Sequence, residues 1–147
     1  MSGPAPGFYR LVNYQTNYTV TTKTNDEDVA QPGCPIRTEK GADRTYPEHS
    51  RLIVSKESGG QYVFRNLTTK MFIGCGQDEH GNAVAAWTPT AQTWDVDPVA
   101  SGTWTISMPG AADSFWFDST IGNHPRSKIM LKESRARVQY YWYFVAA

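Results

Sequence analysis

The chain reads as an all-β domain of twelve short strands, arranged as three unequal copies of a four-stranded unit. Three observations carry that reading. A strand that opens on glycine and soon reaches an aromatic recurs in Gly7-Phe8-Tyr9-Arg10-Leu11, Gly60-Gln61-Tyr62-Val63-Phe64 and Gly102-Thr103-Trp104-Thr105-Ile106. The interval is about fifty residues, a period that marks an array or a pseudo-symmetric closed fold. A closing strand recurs with it, in Gln92-Thr93-Trp94-Asp95-Val96, in Trp142-Tyr143-Phe144 after Gln139-Tyr140-Tyr141, and in degenerate form in Ser50-Arg51-Leu52-Ile53-Val54. Because strand side chains alternate, Trp94 and Val96 share one face, as do Leu52 and Val54. Finally, no segment places apolar residues at i, i+3, i+4 and i+7 behind a capping signal, so almost no helix is expected.

In chain order, residues 1–6 form a Pro/Gly/Ser-rich tail expected to be flexible, and residues 7–147 form one domain. The first copy offers strands at Phe8–Asn13, Tyr18–Thr22, Cys34–Glu39 and His49–Lys56, with polar loops at Lys23–Gly33 and Lys40–Glu48. The second offers Gln61–Asn66, Lys70–Cys75, Asn82–Trp87 and Gln92–Asp97. The third offers Thr103–Met108, Ser114–Ser119, Ser127–Glu133 and Gln139–Val145. Alternation implies that Tyr9, Leu52, Tyr62, Trp94, Trp104 and Trp142 share one core.

Composition narrows the function classes. The chain has 147 residues, with Lys and Arg totalling 14 and Asp and Glu totalling 14. A balanced chain has no net field to gather nucleic acid or an anionic membrane, and neither partner is expected. No apolar run approaches the ~20 residues of a membrane span. The N-terminal MSGPAPGFYR lacks a basic segment followed by an apolar one, so no signal peptide and a cytoplasmic location are expected. In that setting Cys34 and Cys75 read as free thiols, and the sequons Asn17-Tyr18-Thr19 and Asn66-Leu67-Thr68 as unglycosylated.

Catalysis finds little footing. His49, His80 and His124 have no second ligand at metal spacing, so neither a metal nor a cofactor is expected. Asp78-Glu79-His80 lies in a single loop, and no Gly-x-Ser-x-Gly or phosphate-cradling glycine loop is present. The reading is a binding protein, monomeric, and not an enzyme.

Three copies of four strands resemble the β-trefoil, six strands in a short barrel with three hairpins closing one end. The match spans residues 7–145. Its most specific part is Gln92-Thr93-Trp94, with Gly81–Trp87 before it, which resembles the Gln-x-Trp motif of the ricin-B-type trefoil lectins. That resemblance implies sugar pockets built from an aspartate on the second strand of a copy and a stacking aromatic on the third. Trp87 occupies the aromatic position of the second copy, where the aspartate position around Ile73-Gly74 is empty. Asp118 occupies the aspartate position of the third, where the stacking position falls at Lys132. No copy holds both, so a lectin would need a non-standard site.

The opening Gly-Phe-Tyr-Arg-Leu-Val-Asn, the size and the single trefoil together resemble the small fungal trefoil proteins. These include the ricin-B-like mushroom lectins and the mycospin and mycocypin protease inhibitors. The inhibitor likeness implies a reactive loop. Lys23–Gly33 begins with the basic Lys23 but carries Asp26-Glu27-Asp28, which oppose an acidic specificity pocket. Ser134–Val138 offers Arg135 and Arg137 as cations for trypsin-like proteases, and Asn66 falls where mycocypins block asparaginyl endopeptidases. Inhibition of serine proteases, with cysteine proteases as further partners, leads here over glycan binding. A third reading is polyanion binding by Arg126, Lys128, Lys132, Arg135 and Arg137, since growth-factor trefoils use a basic patch in this repeat.

Overall fold

The computed structural model describes residues 3–99, 102–110, 113–118, 126–133 and 138–147. The first copy contributes β1 (Gly7–Asn13), β2 (Tyr18–Thr21), a small hairpin β3 (Lys23–Thr24) and β4 (Glu27–Asp28), β5 (Arg37–Lys40), one helical turn α1 (Ala42–Thr45) and β6 (Leu52–Lys56). The second contributes β7 (Tyr62–Asn66), β8 (Phe72–Gln77), β9 (Ala83–Thr88) and β10 (Asp95–Pro98). The third contributes β11 (Trp104–Ser107), β12 (Phe115–Asp118), β13 (Arg126–Lys132), a 3-10 turn at Val138–Tyr140 and β14 (Trp142–Ala146).

The first and last strand of each copy close a six-stranded ring. β1 pairs with β6, β6 with β7, β10 with β11, β11 with β14, and β14 with β1. The remaining joint is the bridge Tyr62–Trp94, whose backbones exchange two hydrogen bonds of 2.8 Å. The hairpins β2/β5, β8/β9 and β12/β13 cap one end and touch one another through β5–β13, β9–β13 and the Pro35–Ala86 bridge. Barrel and cap together are a β-trefoil, and closure leaves the barrel without a free edge.

Register fixes the threefold equivalence. Tyr9 pairs with Leu52, Tyr62 with Trp94, and Trp104 with Trp142. Leu52, Trp94 and Trp142 are buried and stand in equivalent places, as the closing-strand pattern predicts; Tyr62 is also buried. Tyr9 and Trp104 are only partly buried and pack against the core from its rim. Two tryptophans repeat the same hydrogen bond: Trp94 Nε1 donates to Ile73 O at 2.9 Å, and Trp142 Nε1 to Trp116 O at 3.2 Å. Trp116, unanticipated as a core residue, sits between them edge to face, 5.3 Å from Trp94 and 5.9 Å from Trp142 by ring centroid. Such geometry sets the positive ring edge on the negative face.

Gln92 of the Gln-x-Trp motif works on the backbone. Its Oε1 accepts the Cys75 N–H at 3.1 Å, and it lies so close over Gly74 that a Cβ there would be 2.5 Å from Gln92 Cδ. In the other copies Ser50 Oγ donates to Ala42 O, and the Tyr140 hydroxyl to Glu133 O. Three different side chains thus tie the closing strand to the preceding hairpin or loop.

Several local expectations change. Lys23–Gly33 is not unstructured: Asn25 and Asp26 take positive φ, which lets the chain fold back as β3/β4. Lys40–Glu48 contains α1, anchored by the buried Ala42. Residues 3–6 lie against the barrel, where the Tyr62 hydroxyl donates to Pro4 O at 2.6 Å and the Tyr9 hydroxyl to Ala5 O at 2.7 Å. Cys34 and Cys75 are both free thiols, and burial pushes the Cys75 thiol up.

Candidate functional site

The residues expected to bind sugar are inside the protein. Trp87 has no exposed surface and belongs to the main core cluster. The first copy's loop seals this region, because Gly33 N donates to Trp87 O at 2.8 Å and Trp87 N to Cys34 O at 3.0 Å. Trp87 pairs with Ile73 and Leu131 with Trp116, so the position equivalent to Trp87 in the third copy is Leu131, not Lys132. Both side chains point into the core. Asp118 is buried, and its Oδ2 accepts the Thr16 hydroxyl at 2.9 Å and the Thr38 hydroxyl at 3.2 Å. It joins the first and third copies instead of presenting a carboxylate to solvent.

Asn66 is a turn residue. Its Nδ2 donates to His49 O and Arg51 O, and its Oδ1 accepts Thr69 N at 3.0 Å. Asn13 builds the same turn one copy earlier: Nδ2 donates to Gln139 O, and Oδ1 accepts Gln15 N and Thr16 N. In each turn the fifth residue, Asn17 or Lys70, takes a left-handed φ of 64° or 63°. Asn66 is fully buried and has no face to offer a protease. Lys23 stands on β3 with its ammonium 5.9 Å from the Tyr46 ring centroid. Arg135 and Arg137 lie outside the described residues.

The basic stretch of the third copy is largely committed to the cap. Arg126 Nε donates to Glu39 Oε1 at 2.9 Å, and Lys128 Nζ to Asp78 Oδ2 at 2.8 Å. Asp78 is buried, and Lys128, with N–H donors from His80 and Asn82, holds its carboxyl far below the usual carboxylate range. Lys132 rests 5.3 Å from the Phe117 ring centroid. Arg126 and Lys128 thus tie β13 to its neighbours, while Lys132 is exposed.

What the fold does open is a cleft of about 330 Å³ on the barrel wall. Its floor follows from strand alternation. On β1, Leu11 and Asn13 point inward, so Arg10 and Val12 point out. Their partners on β14 are Val145 and Tyr143 respectively. Tyr143 packs against the exposed Tyr14, ring centroids 5.6 Å apart. The far wall is Lys40, Gly41, Asp43 and Arg44, where α1 follows β5; Asn17 also lines the cleft. Gly41 takes a φ of 73° to start that turn.

The charged lining is Arg10, Lys40 and Arg44 against Asp43. Arg10 Nη2 donates to Pro47 O at 3.2 Å, while its Nε is buried with no hydrogen-bond partner among the described residues. Arg44 is 81% exposed and reaches Asp43 only at 3.9 Å, a contact of small energy. The cleft therefore combines a half-buried aromatic, two valines, an exposed amide and cations. Sequence inspection missed it, although one signal was there: in a trefoil the first and last strands pair, which sets outward Arg10 and Val12 beside outward Tyr143 and Val145. Among the described residues, no group of three or more His, Cys, Asp or Glu could hold a metal ion.

The chain matches no protein-family profile and no curated protein sequence. Solved structures similar to it include the Rhizoctonia solani agglutinin, with 14% identity, 100% of this chain and 99% of that one covered, and a TM-score of 0.80. A Macrolepiota procera ricin B-like lectin in complex with lactose has 10% identity, full coverage of both chains and a TM-score of 0.77. A designed 3-fold symmetric protein, ThreeFoil, has 9% identity, 96% and 99% coverage and a TM-score of 0.76. At such identities the likeness is one of fold.

Proposed function

We propose that this protein is a carbohydrate-binding β-trefoil that takes its sugar in the cleft between β1/β14 and α1, not in a ricin-B-type pocket. The observation that carries the reading is the pairing of an aromatic with polar groups across a cleft of saccharide size. A pyranose has an apolar face of C–H bonds and a rim of hydroxyls. Tyr143, with Val12 and Val145, supplies an apolar platform, and Asn17 and Lys40 supply polar groups at its edges. The volume lies at the low end of the roughly 300–1,000 Å³ typical of ligand sites, enough for one sugar residue of a longer chain. Fold likeness to the Rhizoctonia solani agglutinin and to a Macrolepiota procera ricin B-like lectin in complex with lactose supports the same reading. Protease inhibition has less behind it, because Asn66 is buried and Lys23 lies against Tyr46.

A glycan array run beside inhibition assays on trypsin, papain and an asparaginyl endopeptidase tests the proposal. The parent protein binds glycan, Tyr143→Ala loses that binding, and Tyr143→Phe keeps it because the ring is retained. Trypsin inhibition without any glycan binding would return the function to the loop 134–138.

A further inference from the structure

We infer that the saccharide held in this cleft carries an acidic group, a carboxylate or a sulfate, which Arg10, Lys40 and Arg44 recognise; the inference rests on the glycan reading above. The chain as a whole has as many acids as bases. The charged lining of the cleft does not, with three cations and only Asp43 opposing them.

The contrast with the cap sharpens the point. There, Arg126 and Lys128 each meet a buried carboxylate at hydrogen-bond distance. In the cleft, Arg10 and Lys40 have no carboxylate within ion-pair distance among the described residues, and Arg44 has only the long contact to its neighbour Asp43. Cations gathered around a concave surface without internal partners raise the local concentration of anions.

Arg10 adds a directional argument. It is held by Pro47 O through Nη2, yet its Nε is buried and has no acceptor among the described residues. That buried nitrogen is closed to a ligand, so a bound anion meets Arg10 through the part of its guanidinium that lines the cleft. A planar guanidinium is suited to the paired oxygens of a carboxylate or sulfate. Lys40 and Arg44 are exposed on the opposite wall, so an anionic substituent between the walls meets positive charge from both sides, while the sugar ring lies on Tyr143. The apolar floor distinguishes this arrangement from a bare anion trap.

The test compares one saccharide in neutral, uronic or sialic acid, and sulfated forms by titration calorimetry, with inorganic sulfate alone as a control. At least one acidic form is expected to bind about tenfold or more tightly than the neutral form, the scale of one charge-assisted contact. That preference shrinks in high salt, because screening shortens the reach of exposed charges. Asp43→Asn, which removes the opposing charge, raises the ratio of acidic to neutral affinity. Arg44→Gln and Lys40→Gln each weaken acidic binding about tenfold, and both residues are exposed, so the fold is retained even if Arg10→Gln is not. Which acidic arm binds identifies the group. Equal affinity for neutral and acidic forms overturns this inference while the glycan reading stands. Inorganic sulfate binding as tightly as the sulfated sugar overturns the saccharide part. No binding by any form removes both.

Discussion

Replacing Trp87 and Trp94 separately by phenylalanine isolates one hydrogen bond inside the core. Both indoles are fully buried in the same cluster, and both substitutions delete the same atoms. The lost transfer energy and the cavity left behind therefore nearly cancel in the comparison. What differs is Nε1. That of Trp94 donates to Ile73 O at 2.9 Å, whereas that of Trp87 is buried with no partner among the described residues. Removing the paired donor forfeits about 0.5–1.5 kcal/mol, while removing the orphan relieves a desolvation cost of about 1–3 kcal/mol. Trp94→Phe should thus be more destabilising than Trp87→Phe by about 2 kcal/mol. For a domain of this size that is roughly 4–8 °C in thermal midpoint. Paired calorimetric and urea unfolding curves read the difference. Equal losses, or a larger loss for Trp87→Phe, would mean that the Trp87 N–H has found a partner and that the reasoning about its enclosure is wrong.

Other expectations follow from the same contacts. Asn66→Ala and Asn13→Ala should each cost about 1–3 kcal/mol, because each strands buried backbone groups; urea unfolding measures it, and an unchanged midpoint would free Asn66 for a surface role. Asp78 has a folded pKa held below its unfolded value, so its stabilising effect is present above about pH 4 and is lost as pH falls below that. Acid titration of the thermal midpoint should accordingly steepen below pH 4 in the parent and flatten in Asp78→Asn. Both Cys34 and Cys75 should react with a thiol reagent after unfolding without reductant, while the pH-dependent rise in labelling of native Cys75 should set in at higher pH than in the unfolded chain, because burial disfavours its thiolate.

The barrel was legible in the sequence because its signals are periodic and local. The glycine–aromatic openings and the Leu52, Trp94 and Trp142 closings occupy register-equivalent positions. Strand ends were less legible: Cys34, Pro35 and Ile36 alternate like a strand, but the chain there is laid along β9, and β5 begins at Arg37. The same crossing explains Trp87. Its sequence neighbours match a stacking tryptophan, but its side chain points into the core and the loop from Gly33 to Ile36 is bonded along its backbone. Asn66 was misjudged for a related reason, since an Asn-x-x-Thr turn looks the same whether its amide faces water or the backbone of a neighbouring segment. Of the cleft, the β1/β14 floor follows from pairing of the first and last strands, but the wall at Lys40 and Arg44 was not legible, because a single helical turn is too short to show periodicity.

Entry of ligand between β1/β14 and α1 can be followed through backbone amide chemical shifts during titration with the best-binding glycan. The largest changes are expected at Arg10, Asn17, Gly41, Arg44 and Tyr143, with the β8/β9 hairpin silent. Changes centred on the β8/β9 hairpin near Trp87, or on residues 134–138, would contradict it.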